Sequence, residues 1–161
     1  MAAGATYEPI ATTTLGSAAA SYTFSSISSA YTDLVLIYQS TTAPAAAYVG
    51  LQFNSDTGTN YSATTVYGEA SAGSARSTSQ NNMRVINSAN QASNMMICSI
   101  MNYANSTTYK TAIARNGMPS GVYAQVGLWR NTAAITSVTI YGDAGNLASG
   151  TILTLYGIKA A

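Results

Sequence analysis

The sequence contains no histidine and very few charged residues. Of its 161 residues, 6 are Lys or Arg and 5 are Asp or Glu, so charged residues make up only 7% of the chain. An ordinary soluble domain carries about 25%. The lack of histidine excludes every imidazole-based catalytic triad and every metal site that needs imidazole ligands. The six basic residues are dispersed, so no stretch is dense enough to bind a nucleic-acid backbone.

Cysteine is represented by Cys98 alone, which excludes an internal disulfide. Its neighbours in residues 95–101 are apolar, and it has no imidazole partner, so we expect a small buried side chain rather than a nucleophile. No apolar run reaches the roughly 18 residues of a membrane-spanning helix. Residues 1–10 lack the basic region and apolar core of a secretory signal. These absences favour a protein made in a reducing cytoplasm, without a membrane partner.

In place of charge, the sequence has 12 tyrosines, many small polar residues and an apolar fraction of 47%. Segments 135–141 and 152–158 are rich in residues with high β-propensity, and the turn-forming residues 142–146 separate them. The alternation in 137–141 predicts a strand with one solvated face. Residues 152–156 are apolar on both faces, which predicts a central strand, and we expect this last strand to close the fold.

The rest of the chain repeats this strand pattern. Helical periodicity is absent, and about ten short alternating segments follow one another at a spacing of roughly 8–12 residues. The pattern predicts an all-β fold, a single antiparallel β-sandwich of jelly-roll-like type. We expect an N-terminal arm over residues 1–12, where Pro9 restricts any strand to a sheet edge or a first position, and the sandwich domain over residues 13–161. Residues 69–82 are small and polar and predict a long surface loop, and residues 116–121 predict a break between two strands.

The carboxylates offer few candidates for catalytic residues. Asp56 and Glu69 could converge as a glycosidase pair, but a turn and a loop are where solvated carboxylates are expected. Residues 54–60 place oxygen-bearing side chains at alternating positions, as in a calcium loop, yet they hold one carboxylate and lack the bidentate glutamate, so we expect a plain turn. We therefore predict no catalytic residues, no metal site and no cofactor.

The tyrosines leave two interpretations open. They could form a sugar-stacking face, or they could serve ordinary packing and subunit contacts. Four of the six methionines lie in residues 83–101, where we expect adaptable core filling. With so few charges, contacts between subunits should use Tyr, Ser, Thr and Asn rather than salt bridges, and should respond weakly to added salt.

Four segments stand out as an ordered set. They are residues 51–61 (LQFNSDTGTNY), 102–111 (NYANSTTYKT), 127–138 (GLWRNTAAITSV) and 155–159 (LYGIK). The set resembles a family of small virion structural proteins of tailed bacteriophages, including those of cyanobacterial and marine hosts. The resemblance extends over residues 21–159 in the family's order. It implies a β-sandwich module of the virion, and it implies no catalytic residues.

The resemblance leads us to expect a non-enzymatic head decoration (cement) protein that binds across major capsid protein subunits and stabilises the capsid from outside. Several weak contacts made at once would multiply into firm attachment. A homotrimer is also implied, because joints in capsid lattices often lie on threefold positions. The alternative is a tail-fibre or receptor-binding module that recognises host-surface glycans. The start at Met1 and the lack of a shaft repeat favour a stand-alone protein.

Overall fold

The computed structural model describes residues 6–87 and 89–159, and every regular element in them is a β-strand. The strands are β1 Tyr7–Thr14, β2 Ser21–Phe24, β3 Asp33–Ser40, β4 Tyr48–Phe53, β5 Tyr61–Gly68, β6 Ala72–Gln80, β7 Met83–Ile86, β8 Asn94–Met101, β9 Lys110–Met118, β10 Gly121–Trp129, β11 Val138–Asp143 and β12 Ile152–Ile158. In this part of the chain no helix is long and apolar enough to cross a membrane.

The strands form two sheets that pack face to face. The larger sheet has eight strands in the order β1-β12-β3-β8-β9-β10-β5-β6, and the smaller has four in the order β2-β11-β4-β7. Every pairing between the described strands is antiparallel. The chain passes between the sheets repeatedly, for example from β3 to β4 and from β10 to β11. This architecture confirms the predicted all-β class and antiparallel β-sandwich.

The core lies between the sheets because alternate residues of each central strand point inward. Leu34, Leu36 and Tyr38 of β3 are fully buried. Leu36 lies opposite Cys98 of β8 and Leu155 of β12, so one buried layer continues from strand to strand. Burying each large apolar side chain of this layer stabilises the fold by about 1.5–3 kcal/mol.

A glycine sets the contact between the two sheets where β7 packs on β10. A Cβ atom at Gly127 would lie 2.2 Å from the sulfur of Met83. Met83 is 1% exposed and belongs to the core. Because Gly127 has no side chain, the Met83 side chain packs directly against the backbone of β10 at this point.

Strand β1 corrects the predicted N-terminal arm. It pairs with β12 along its length, so the predicted boundary at residue 12 falls inside a strand. The prediction for Pro9 holds: β1 is an edge strand, and the register shifts between Pro9 and Ala11. Proline has no N–H to donate, which an edge strand tolerates. Residues 1–5 of the predicted arm lie outside the described residues.

Strand β6 corrects the predicted surface loop over residues 69–82. It pairs with β5 at the other edge of the larger sheet. Its small polar side chains are mostly exposed, so the segment lacks the apolar alternation that identifies a strand in a sequence. Backbone hydrogen bonds to β5 create this strand, and they are invisible in residue composition.

Two further boundaries differ from the sequence pattern. The predicted break over residues 116–121 is a turn of only Pro119 and Ser120, because β9 continues to Met118 and β10 begins at Gly121. The strand predicted from residue 135 begins at Val138. Strand β12 lies between β1 and β3, as its two apolar faces predicted for a central strand.

Candidate functional site

The outer face of the larger sheet is exposed and largely apolar. The most exposed large apolar side chains of its four adjacent strands, with their exposed fractions, are Val122 65%, Met95 57%, Val66 54%, Val126 54% and Ile113 45%. They belong to the adjacent strands β8, β9, β10 and β5. Single exposed apolar residues are ordinary on protein surfaces, whereas a contiguous patch marks an interaction site. We call these five residues the outer patch.

The pairing register makes the outer patch contiguous. Val126 of β10 lies opposite Ile113 of β9. Val122 lies opposite Gly117, which in turn lies opposite Met95 of β8. Arg115 of β9, which lies opposite Ala124 of β10 and Ile97 of β8, separates these two rows. The outer patch is therefore continuous except for this one charged side chain.

A groove crosses this face beside Gly117, and its volume is about 590 Å³. It is lined by Ile37, Met95, Ile97, Arg115, Asn116, Gly117, Val122 and Tyr123. Gly117 leaves a gap between Val122 and Met95 because it has no side chain. Arg115 is the one charged residue among the described residues of the lining. The groove has the composition that accepts an apolar side chain from a partner.

A second candidate site lies between the sheets, at the ends of β5 and β10. Tyr67 and Tyr123 lie opposite each other in register, with ring centroids 5.9 Å apart and 31° between their planes. The hydroxyl of Tyr123 donates a hydrogen bond to the carboxylate of Glu69. On the smaller sheet, the guanidinium carbon of Arg84 lies 3.9 Å from the ring centroid of Tyr48.

These side chains enclose a cleft of about 280 Å³, which we call the tyrosine cleft. Its lining residues are Tyr48, Tyr67, Glu69, Ala75, Arg84, Asn87 and Tyr123. Gly73 of β6 makes room for one of them, because a Cβ atom there would lie 2.6 Å from the ring of Tyr67. The position of the Tyr67 ring therefore depends on a glycine in the strand that the sequence did not reveal.

One charge of the tyrosine cleft is neutralised within the protein and one is not. Arg84 forms a salt bridge of 3.5 Å with Asp143. Tyr141 also donates a hydrogen bond to Asp143, and burial, this bond and the nearby carboxylate charge together raise the pKa of Tyr141. Glu69 has no salt-bridge partner among the described residues. Of the charged side chains that line the cleft, the Glu69 carboxylate is therefore the one without a paired opposite charge among the described residues.

Asp56, one of the two carboxylates considered for catalysis, is part of the framework. Its carboxylate accepts hydrogen bonds from Trp129 Nε1 at 2.7 Å, Asn60 Nδ2 at 2.9 Å and the Gly58 N–H at 2.8 Å. Burial raises the pKa of Asp56, but the three hydrogen bonds outweigh burial, so this pKa lies below its usual value. Asp56 thus holds the turn and the tryptophan in place.

The structure does not bring Asp56 and Glu69 together. Asp56 bonds to Trp129 and Glu69 bonds to Tyr123, and these two residues are six positions apart on β10. Six positions along a strand correspond to about 20 Å. The two carboxyl groups of a glycosidase lie about 5–9.5 Å apart. The hypothetical glycosidase pair is therefore excluded by position.

The segment considered as a calcium loop, residues 54–60, directs its side-chain oxygens at N–H donors. Asn54 Oδ1 accepts hydrogen bonds from the N–H groups of Thr136 at 2.8 Å and Ser137 at 3.2 Å. Asp56 is engaged as described above. In residues 6–87 and 89–159 no group of three or more His, Cys, Asp or Glu side chains is placed to hold a metal ion.

The sulfur-containing residues divide between core and surface. Cys98 is fully buried, and burial raises the pKa of its thiol to about 12, so the thiol stays protonated and inaccessible. Met83 and Met96 fill the core as predicted. Met95 and Met101 do not: they are 57% and 42% exposed, on the outer face of β8. The expectation of core filling was wrong for these two residues.

Sequence reasoning missed the outer patch, although a signal was present. In β10, apolar residues occupy both alternating sets, Val122, Ala124, Val126 and Leu128 on one side and Tyr123 and Trp129 on the other. A strand that is apolar on both faces is normally covered on both faces. The smaller sheet covers the inner face, and nothing in this chain's described part covers the outer patch.

No protein-family model matches the sequence, and a search of curated proteins also finds no match. Three solved structures resemble the fold. An exo-inulinase from Aspergillus awamori has 11% identity and a TM-score of 0.40, covering 94% of this chain. The galectin LEC-6 of Caenorhabditis elegans has 11% identity and a TM-score of 0.37, covering 92% of this chain and 96% of its own. The homodimeric agglutinin CG-16 from chicken liver has 10% identity and a TM-score of 0.35, covering 81% and 98%.

This chain spans 29% of the length of the inulinase chain.

Proposed function

We propose that this protein is a non-enzymatic structural protein that assembles with copies of itself through the outer face of its larger sheet. The outer patch carries this proposal. Five large apolar side chains on four adjacent strands are 45–65% exposed. Leaving them in water costs the free energy that their burial against a partner would recover, about 25 cal/mol per Å² of apolar area.

The size of the face fits a copy of the chain. Eight strands spaced about 4.8 Å apart span about 35 Å, and strands of this length reach about 27 Å, so the face measures roughly 900 Å². A stable protein interface buries about 800 Å² on each partner. One sheet face can therefore supply an ordinary interface without contributions from loops.

The scarcity of charge favours a copy of this chain as the occupant. Another sheet face of the same kind offers apolar side chains opposite apolar side chains, which is how two sheets pack in a sandwich. A partner selected by salt bridges would find few charges, because the whole chain has only 11 charged residues, 6 basic and 5 acidic. Two copies packed through this same face form a twofold dimer, and this is the contact that we propose for the outer patch. The homotrimer implied by the family resemblance would need a second kind of contact between copies.

The resemblance to small virion proteins supplies the biological setting of the proposal. In this setting the assembled protein is a decoration protein on the exterior of a tailed-phage head, and it binds across neighbouring subunits of the major capsid protein. Such a role requires binding alone. An oligomer with several weak attachment points binds a lattice far more tightly than one subunit does.

Light scattering of the purified protein tests the assembly. We expect a concentration-dependent homo-oligomer that responds weakly to added salt, because screening acts on charges and the patch has few. The double variant Val126→Glu with Ile113→Glu places two like charges opposite each other in the patch, and it should be monomeric. Tyr109→Glu is the matched control, since Tyr109 is 56% exposed but lies outside the strands. A wild-type monomer at all concentrations would refute the proposal.

Binding to emptied phage heads, compared with binding to host cells, tests the setting. A decoration protein binds the heads, and the monomeric double variant should bind them much more weakly than the Tyr109→Glu control. Binding to host cells without binding to heads would instead support the tail-fibre alternative.

A further inference from the structure

We propose that the tyrosine cleft binds a neutral carbohydrate. The cleft lies on the opposite side of the larger sheet from the outer patch, because Val66 points outward and the next residue, Tyr67, points inward. A ligand in the cleft and a protein on the outer patch can therefore be bound at the same time. The inference stands on its own observations and does not depend on self-assembly.

Aromatic rings provide the first part of such a site. Tyr48 and Tyr67 are half-buried, so part of each ring remains accessible from the cleft. Tyr123 is only 6% exposed and packs behind Tyr67. A tyrosine ring offers an apolar face together with a polar hydroxyl tip. The C–H face and hydroxyl rim of a sugar ring have the matching character.

Polar side chains provide the second part. Glu69 offers acceptor oxygens, Arg84 offers N–H donors, and the amide of Asn87 offers both kinds of group. Asn87 is positioned by a hydrogen bond of 3.4 Å from its Nδ2 to Thr65 Oγ1. A sugar hydroxyl donates one hydrogen bond and accepts others, so a mixed set of donors and acceptors suits a polyol better than a purely apolar ligand.

The charges select a neutral ligand. The guanidinium of Arg84 is paired with Asp143 and stacked on Tyr48, whereas the carboxylate of Glu69 has no cationic partner among the described residues. A phosphate or a carboxylate ligand would meet this unbalanced negative charge at short range. The cleft therefore disfavours anionic sugars and nucleotides.

The size of the cleft agrees with a sugar. The cleft is open to solvent and its volume of about 280 Å³ leaves room for about one sugar ring. A smaller cavity of about 110 Å³ adjoins it, shares Ala75, Arg84 and Asn87 with its lining, and is also lined by Arg76. A second ring of an oligosaccharide has a place to extend along β6.

Two buried polar side chains lie beside Tyr123 in the larger sheet, although neither lines the tyrosine cleft. Asn116 lies opposite Tyr123 in register, and Gln125 follows Tyr123 on the same face. They are 5% and 1% exposed, and their amide nitrogen and oxygen atoms have no hydrogen-bond partner within the described protein. Buried amides without partners reduce stability, so they are expected where function requires polarity rather than in a core selected for packing.

Calorimetric titration tests the inference with glucose, galactose, maltose and lactose as neutral probes and with sialic acid as the anionic comparison. We expect at least one neutral sugar to bind with a Kd on the order of 1 mM and sialic acid to bind more weakly. Tyr67→Ala and Glu69→Gln should each weaken binding at least about tenfold, which corresponds to loss of one main contact. Glu69→Gln keeps the shape of an exposed side chain, so this variant should fold even if Tyr67→Ala does not.

Val66→Ser is the matched control, since it changes the neighbouring residue on the opposite face and should leave sugar affinity unchanged. The monomeric Val126→Glu, Ile113→Glu variant should also bind sugar normally, which separates this inference from the assembly proposal. The inference is wrong if no neutral probe binds the wild type, if sialic acid binds more tightly, or if both cleft variants bind as the wild type does.

Discussion

Strands β5 and β10 carry an aromatic pair at each end, and the two pairs differ in how far they are buried. At one end Tyr61 stacks on Trp129, with ring centroids 6.2 Å apart and 15° between the planes. At the other end Tyr67 and Tyr123 are 5.9 Å apart at 31°. Both pairs are direct cross-strand neighbours on the inner face. The first pair is completely buried, whereas the second borders the tyrosine cleft.

The carboxylate beside each pair explains the difference. At the buried end, Asp56 accepts three hydrogen bonds, and its own backbone oxygen accepts another from the Tyr61 hydroxyl at 3.0 Å. Phe53 covers Trp129, with ring centroids 5.5 Å apart. At the open end, Glu69 accepts a hydrogen bond from Tyr123 and remains exposed. Where a turn closes over the aromatic pair and its carboxylate, these residues are part of the protein's framework. Where no turn covers them, they line a candidate binding site.

Truncating each aromatic pair should separate the two ends most clearly. We expect Trp129→Ala to lower the free energy of unfolding by about 3–5 kcal/mol, because a fully buried ring leaves a cavity. Tyr67→Ala should cost about 1–2 kcal/mol, since Tyr67 is only half-buried. Urea unfolding followed by far-ultraviolet circular dichroism measures both. Equal losses would show that the open end is packed as tightly as the closed one.

Removing the charge of each carboxylate should also reduce the free energy of unfolding more at the buried end than at the open end, but by a smaller margin. Asp56→Asn should lower the free energy of unfolding by about 2 kcal/mol, because it weakens charge-assisted hydrogen bonds and turns one oxygen into a donor. Glu69→Gln should change it by less than about 0.5 kcal/mol, as expected for an exposed side chain. The comparison fails if Glu69→Gln is the more destabilising change.

Lowering the pH should destabilise the buried end of β5 and β10 by protonating Asp56. Its pKa in the folded protein lies below its usual value, so the unfolded chain binds the proton more readily. The stabilisation by Asp56 is therefore complete above about pH 4, the pKa range of an unfolded aspartate, and is lost as the pH falls through the lower folded pKa. Urea midpoints between neutral and acid pH should fall less steeply for Asp56→Asn than for the wild type. Parallel curves would assign the acid sensitivity to another group.

Gly73→Ala at the open end should have only a small effect on stability. The added Cβ atom would meet the ring of Tyr67 at 2.6 Å, and the ring can move because it borders a cleft. We expect a loss of about 1 kcal/mol or less in the free energy of unfolding. Sugar affinity should fall nevertheless, since the ring is displaced. An unchanged affinity together with an unchanged tyrosine spectrum would show that Gly73 does not position Tyr67.

Much of the fold could be predicted from the sequence because alternation is a local property. The alternation in residues 34–38 places Leu34, Leu36 and Tyr38 on one face of a strand, and all three are buried on that face of β3. The absence of helical periodicity and the series of short alternating segments with turn signals between them were enough to indicate an all-β sandwich.

The rest depended on contacts between residues distant in sequence. Strand β6 exists because β5 lies beside it, and its own small polar side chains do not favour a strand. Asp56 and Glu69 look alike as isolated carboxylates, but they bond to residues six positions apart on β10, so one becomes framework and the other borders a cleft. The outer patch, too, required the strand order, because an apolar residue is exposed or buried according to what packs on its side of the sheet. Periodicity tells which residues share a face, and tertiary packing tells which face meets water.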